Sequence, residues 1–197
     1  MEKINPILKI AKENNGVVTN EQVVNLGLQR GTLKYLTDVG KLERVARGIY
    51  ILPEFLEDEF YCIQARFKRG VFSHNTALFL HGLSDRTPNL FCMTFPKSYN
   101  ATAPRAENIK VFQSTNDLYD LGITEMKSPS GNTVKVYSAE KTLCDILRTS
   151  SHTDIQVVSL AFKEYSKLPN KNIPLLSEYA KILKVDEKLR SYLEVLL

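Results

Sequence analysis

The sequence predicts an α+β protein: an N-terminal winged helix-turn-helix, then a larger α+β domain with a small sheet and a helical C-terminus. Three observations predict it. Three short helical patterns and a β-rich hairpin fill the first 52 residues, the composition shifts at Pro53 and the acidic run Glu54–Glu59, and helical and strand periods alternate afterwards. At 197 residues the chain is long enough for two small domains, divided here into a DNA-binding domain at 1–53 and a second α+β domain at 54–197. A hydrophobic share of 43% with 24% charged residues suits packed globular structure and is far from the signature of disorder.

The first helix opens at Asn5-Pro6, a cap residue followed by proline at the first helical position, and Ile4, Ile7, Leu8 and Ala11 follow the i, i+3, i+4, i+7 spacing of one buried face. It ends near Asn14-Asn15-Gly16. After the short apolar pair Val17-Val18, Thr19 to Gln22 has the form of a capping box and starts a second helix that runs to about Leu26. Gly27 stops that helix and Leu28 anchors the turn. The third helix, about Gln29 to Val39, places Leu33 and Leu36 on its inner side. Lys41–Val45 and Ile49–Leu52 then read as two strands around Gly48, a residue that tolerates positive φ.

Beyond the acidic run, helical patterns are expected at about Glu57–Phe67, Ser73–His81, Ala139–Arg148, Ile155–Ser166, Pro174–Leu183 and Glu187–Leu196, with Ser73 and Ser138 as caps. Strand patterns are expected at Leu90–Phe95, Ile109–Phe112, Thr124–Lys127 and Thr133–Tyr137.

Composition excludes several classes. Every apolar stretch is far shorter than the roughly 18 residues of a membrane span, and the first residues lack the pattern of an export signal. Cys62, Cys92 and Cys144 are odd in number and too widely spaced for a disulfide framework or a zinc site. A cytoplasmic location is therefore expected. Neither phosphate-binding glycine loop nor nucleophile elbow is present, nor a Gly-Ser pair ahead of paired aspartates as a nucleotidyltransferase requires; no enzyme activity, cofactor or metal is expected.

The net charge of +4 matters less than its placement. Residues 1–52 carry eight basic and five acidic side chains. If Leu33 and Leu36 face inward, the helical turn of about 100° per residue sends Gly31, Lys34 and Asp38 outward, flanked by Arg30 and Tyr35. In a helix-turn-helix this third helix enters the major groove, so Arg30 and Lys34 meet DNA. Gly31 lets the helix N-terminus approach a phosphate closely. The hairpin adds Lys41, Arg44 and Arg47, with Arg47 at a wing tip suited to a minor groove or a phosphate. Tyr35 either contacts DNA or packs on the hairpin, and Thr32, beside Leu33, is left open by the spacing. Asn20, at the start of the second helix, is a further candidate for a phosphate. The competing reading makes these cations an ordinary solvated face.

The wing Gly40-Lys41-Leu42-Glu43-Arg44-Val45-Ala46-Arg47-Gly48-Ile49-Tyr50 resembles that of AbiEi antitoxins, as do the later segments Phe72–Leu83 and Val136–Arg148. The resemblance implies an antitoxin and transcriptional autorepressor of a bacterial type IV toxin-antitoxin, abortive phage infection operon. Its winged helix would bind inverted repeats in double-stranded promoter DNA, two copies per operator, through Arg30, Lys34, Lys41, Arg44 and Arg47. Its second domain would neutralise an AbiEii-like nucleotidyltransferase toxin without a stable complex.

Two alternatives stand beside it: a nucleic-acid enzyme with its site on the His74/His81 helix, and a module that sequesters the toxin directly. For His74 and His81, which lack a close third ligand, hydrogen-bonded structural roles are expected. Glu140, Lys141, Asp145 and Arg148 are expected to form ion pairs on a helix surface, Lys141 with Asp145 and Asp145 with Arg148. The late cations Lys163, Lys167, Lys171, Lys181, Lys184, Lys188 and Arg190 are read as a solvated face.

Overall fold

The computed structural model describes residues 5–107 and 109–196. The protein is mixed α+β and divides into two compact units: one runs to Lys68 and includes Lys127–Val134, and the other takes Arg69–Met126 and the chain from Lys135. Ile4 lies outside the described residues, as does the Asn5 side chain.

The first unit is ordered α1 (Asn5–Glu13), β1 (Val17–Thr19), α2 (Asn20–Asn25), α3 (Gly31–Asp38), β2 (Glu43–Ala46), β3 (Ile49–Ile51) and α4 (Glu59–Arg66). The capping box forms: Thr19 N–H donates to Gln22 Oε1 at 2.7 Å and Gln22 N–H to Thr19 Oγ1 at 3.3 Å. Val17-Val18, expected as a bare apolar connection, is a strand. It pairs antiparallel with β3, Val17 opposite Ile51 and Thr19 opposite Ile49, giving a three-stranded sheet of order β1-β3-β2.

Alternation along these strands explains the layering, because successive side chains leave a strand on opposite faces. Val18 joins Ile7, Ala11, Val23, Leu33, Leu36, Leu42 and Leu52 beneath the three helices, with Tyr50 partly buried against them. Val17, Ile49 and Ile51 point the other way, where they are covered by Cys62 of α4 together with Tyr61 and Ala65. β1 and β3 are thus covered on both faces, while β2 leaves Glu43 and Arg44 exposed. The compact unit continues past the expected 53/54 division, through the acidic run, to α4.

Asp58, a member of that run, is 2% exposed. One carboxylate oxygen accepts the N–H of Tyr61 at 3.1 Å and so caps α4; the other accepts from Ser128 Oγ at 2.5 Å and Asn132 Nδ2 at 2.8 Å.

The second unit comprises β4 (Val71–Phe72), α5 (His74–Leu80), β5 (Phe91–Pro96), α6 (Thr102–Arg105), β6 (Ile109–Ser114), α7 (Asn116–Asp120), β7 (Ile123–Lys127), β8 (Thr133–Tyr137), α8 (Ala139–Leu147), a 3-10 turn at Thr149–Ser151, α9 (Ile155–Lys167), α10 (Ile173–Ile182) and α11 (Asp186–Leu196). Its sheet has the order β6-β5-β4-β8-β7. β4 pairs antiparallel with β5 and parallel with β8, and β5 runs parallel to β6. α6 lies in the crossover that a parallel pair requires. β4, α6 and α7 are absent from the sequence prediction, being too short to show a period.

Ser138 Oγ caps α8 by accepting the Lys141 N–H at 3.2 Å. Ser73 occupies the expected cap position of α5, yet its hydroxyl makes no capping bond. It accepts instead from Thr94 Oγ1 at 2.9 Å and lies 3.1 Å from His74 Nδ1. α8 is the centre of the helical core: Leu143, Cys144, Ile146 and Leu147 pack with Leu78 of α5, Val158 and Phe162 of α9, Leu176 of α10 and Leu189 of α11.

Candidate nucleic-acid interface

The surface expected to meet DNA is set by which side of α3 the core claims. Leu33 and Leu36 are fully buried. Gly31, Lys34, Tyr35 and Asp38 are exposed, as is Arg30 at the cap position, and Thr32 is half-buried. Tyr35 is 54% exposed, so much of it is open to solvent. A Cβ added at Gly31 would meet nothing within 4 Å, so the backbone at the start of α3 is open to a close-approaching group.

The wing is β2 and β3 joined through Arg47-Gly48. Arg44 lies opposite Tyr50 and Ala46 opposite Ile49, so Val45 is an extra residue that bulges β2. Such a bulge sharpens local twist and re-aims neighbouring side chains. Arg44 Nε donates across it to the Ala46 carbonyl at 3.3 Å, and Lys41, Arg44 and Arg47 are all exposed. Gly48 has φ of +77°, and a Cβ there would sit 2.9 Å from Asn20 Nδ2. The Asn20 N–H donates to the Gly48 carbonyl at 2.8 Å. Asn20 thereby fastens the wing turn to the start of α2, which fixes Arg47 relative to the helices.

Lys34 and Arg30 at α3 and Lys41, Arg44 and Arg47 on or beside the wing therefore lie exposed on one compact unit. Among the described residues none of the five is in an ion pair. Guanidinium and ammonium groups held this way are suited to phosphate oxygens.

Sequence reasoning also left several exposed apolar residues of this unit unremarked. Val39, on the i+3 continuation of the Leu33–Leu36 stripe, is 46% exposed, and Val24 and Leu26 at the end of α2 are exposed too.

In the second unit the histidines have separate partners. His81 Nε2 lies 2.7 Å from the Tyr137 carbonyl, and burial lowers its pKa. His74 is buried at φ of +48°, its ring stacked at 3.5 Å on Phe112. Burial pushes the His74 imidazole down to about 4, against a raising influence from Asp145. Among the described residues, no cluster of three potential metal ligands occurs.

The expected ion pairs of α8 form, but the surface location was wrong. Lys141 Nζ lies 2.6 Å from Asp145, with side chains 3% and 5% exposed, and Arg148 approaches Asp145 at 4.0 Å. Lys141 also sits 4.5 Å from the centre of the Tyr137 ring. Glu140, likewise buried, accepts from the Tyr165 hydroxyl at 2.9 Å and the Asn172 N–H at 3.3 Å. Lys141 lies against the Tyr137 ring and Glu140 against Tyr165 of α9, so these charged groups are buried, while Arg148 at the end of α8 stays partly exposed. Lys163, Lys167, Lys171, Lys181, Lys184, Lys188 and Arg190 are exposed.

Residues 5–53, α1 through the wing, match the model of the family described as "Transcriptional regulator, AbiEi antitoxin". Over this stretch, about a quarter of the chain, the sequence is similar to AbiEi antitoxins. The fold resembles the crystal structure of the RV2827C protein from Mycobacterium tuberculosis, with a TM-score of 0.56 and 13% identity over 89% of this chain and 69% of that one. No curated protein matches. The AbiEi family is one of antitoxin transcriptional regulators, and among the described residues no helix is long and apolar enough to cross a membrane.

Proposed function

We propose that this protein is the antitoxin and transcriptional autorepressor of a bacterial type IV, abortive infection toxin-antitoxin operon. Its winged helix-turn-helix binds inverted repeats in double-stranded promoter DNA, α3 in the major groove and the β2–β3 wing on the flanking backbone, two copies to an operator. The residues that touch DNA are Arg30, Gly31, Thr32, Lys34, Tyr35, Lys41, Arg44 and Arg47. Residues 54–197 neutralise an AbiEii-like nucleotidyltransferase toxin without forming a stable complex with it. The protein works in the cytoplasm and catalyses no reaction.

The observation that carries this reading is the exposed cationic set on α3 and the wing, in a module matched to AbiEi regulators. Binding of the promoter of its own operon tests it. Lys34→Ala and Arg47→Ala, both at solvent-exposed positions, keep the circular dichroism spectrum and weaken operator binding. Each also lowers the slope of log K against log salt by about one for every phosphate no longer neutralised. Wild-type affinity in both variants would place the groove-facing surface elsewhere. Co-purification of toxin with the full chain would favour direct sequestration.

A further inference from the structure

We infer that the second unit holds a binding site for a phosphorylated small molecule, of the size and amphiphilic character of a mononucleotide, in the cavity between the C-terminal end of α8 and helices α9 and α11. The inference is independent of the DNA-binding reading, since every residue it uses lies outside the winged helix.

The cavity measures about 390 Å3, within the range of small-molecule pockets. Arg148, His152 and Lys188 line it, together with hydroxyl side chains such as Thr149 and Ser191, and none of its described lining residues carries a carboxylate. Two acids next to lining residues in sequence or by ion pair are engaged elsewhere. Asp145 is held by Lys141 at 2.6 Å and stands 4.0 Å from Arg148, so most of the guanidinium N–H donors are left for another acceptor. Asp154 caps α9 by accepting the Gln156 N–H at 2.7 Å.

Lys188 is placed, not floating: its ammonium donates to the Leu147 carbonyl at 3.0 Å and to Thr149 Oγ1 at 3.2 Å. These bonds fix a positive charge at the mouth. Fixed cations with hydroxyl donors and no competing carboxylate are the arrangement a phosphate monoester accepts from.

A second feature argues for a ligand with an apolar part. Ile155, at the edge of this cavity, is 66% exposed, and Tyr192, stacked on Phe162 at 4.6 Å, lines the wall beside it. An exposed aliphatic group and an aromatic wall next to an anion-binding mouth fit a flat, apolar ring system carrying a phosphate.

The test is calorimetry on the full chain with three probes: inorganic phosphate, adenosine 5′-monophosphate and a short 5′-phosphorylated single-stranded oligonucleotide. Adenosine monophosphate is expected to bind saturably and more tightly than phosphate. Arg148→Gln is expected to weaken it at least about tenfold, the effect of removing one charge-assisted hydrogen bond, and operator binding is expected to stay at the wild-type level. Ser191→Asp alters only an exposed residue and is expected to abolish binding by placing a carboxylate at the mouth. The site is overturned if neither phosphate nor the mononucleotide binds, or if both variants bind as wild type does. Binding of the oligonucleotide alone would overturn the small-molecule assignment in favour of a nucleic-acid surface.

Discussion

His74 combines two features that seldom coexist: left-handed backbone, unusual for a residue with a Cβ, and nearly complete burial of an ionisable ring. The ring is neutral in the native state because burial holds it near 4, whereas the unfolded chain protonates it near 6.5. A group whose folded value is depressed in this way contributes its full stability above the unfolded value. That contribution is lost as the pH falls from about 6.5 towards 4, because only the unfolded state takes up the proton. The loss amounts to about 3 kcal/mol. Asparagine tolerates the same φ and cannot ionise, so His74→Asn is expected to remove this part of the acid dependence while keeping the turn into α5. Urea midpoints at pH 7 and pH 5 measure it. Equal shifts in the two proteins would mean that His74 is not the group being protonated.

At the scale of the element, α8 carries the sharpest difference between sequence and structure, and it makes a prediction. Lys141 and Asp145 are each other's partner in the interior, so removing one leaves the other charged and buried. Lys141→Met is expected to cost about 3–5 kcal/mol, while Lys141→Met with Asp145→Leu costs much less because no uncompensated charge remains. A double variant as unstable as the single, by thermal melting, would show that the pair acts through something other than charge. The i, i+4 spacing announced the bond and could not announce its depth, since the cover depends on tertiary packing that brings groups such as Tyr137 of β8 and His74 of α5 beside the pair. The same division runs through the protein. Thr19/Gln22, Ser138 and the Leu33–Leu36 stripe were legible because caps and helical periods are local. β1 was missed because three residues show no period and its partner, β3, lies beyond two helices. Ser73 was placed correctly as a cap but its hydroxyl was not, because Thr94 on another strand bids for it. The exposure of Arg30, Lys34, Lys41, Arg44 and Arg47 was legible for the reason that made the caps legible: it follows from the buried face of one helix and the turn of one hairpin. Val39 and Asn20 were not, since exposure of the one and the hold of the other on the wing depend on tertiary closure.

For the molecule as a whole, the first unit indicates where it can be cut. The back of its sheet, Val17, Ile49 and Ile51, is covered by Cys62, Tyr61 and Ala65 of α4. A fragment ending at residue 53 would leave three buried aliphatic side chains facing water, at roughly 1.5–3 kcal/mol each. That is comparable with the entire stability of so small a domain, so residues 1–53 are expected to melt without a cooperative transition. Residues 1–68 retain α4 and keep Asp58 as its cap, although they lose Ser128 and Asn132 as partners of that carboxylate. This longer fragment is expected to melt cooperatively, to bind promoter DNA with all five cations, and to repress its promoter without rescuing cells from the toxin. Circular dichroism melts of the two fragments, with reporter repression and toxin rescue scored for the longer one, separate these outcomes. If residues 1–53 melted at the temperature of 1–68, the cover provided by α4 would be energetically idle. Rescue by 1–68 alone would move antitoxin activity into the winged helix and leave the second unit without the part assigned to it.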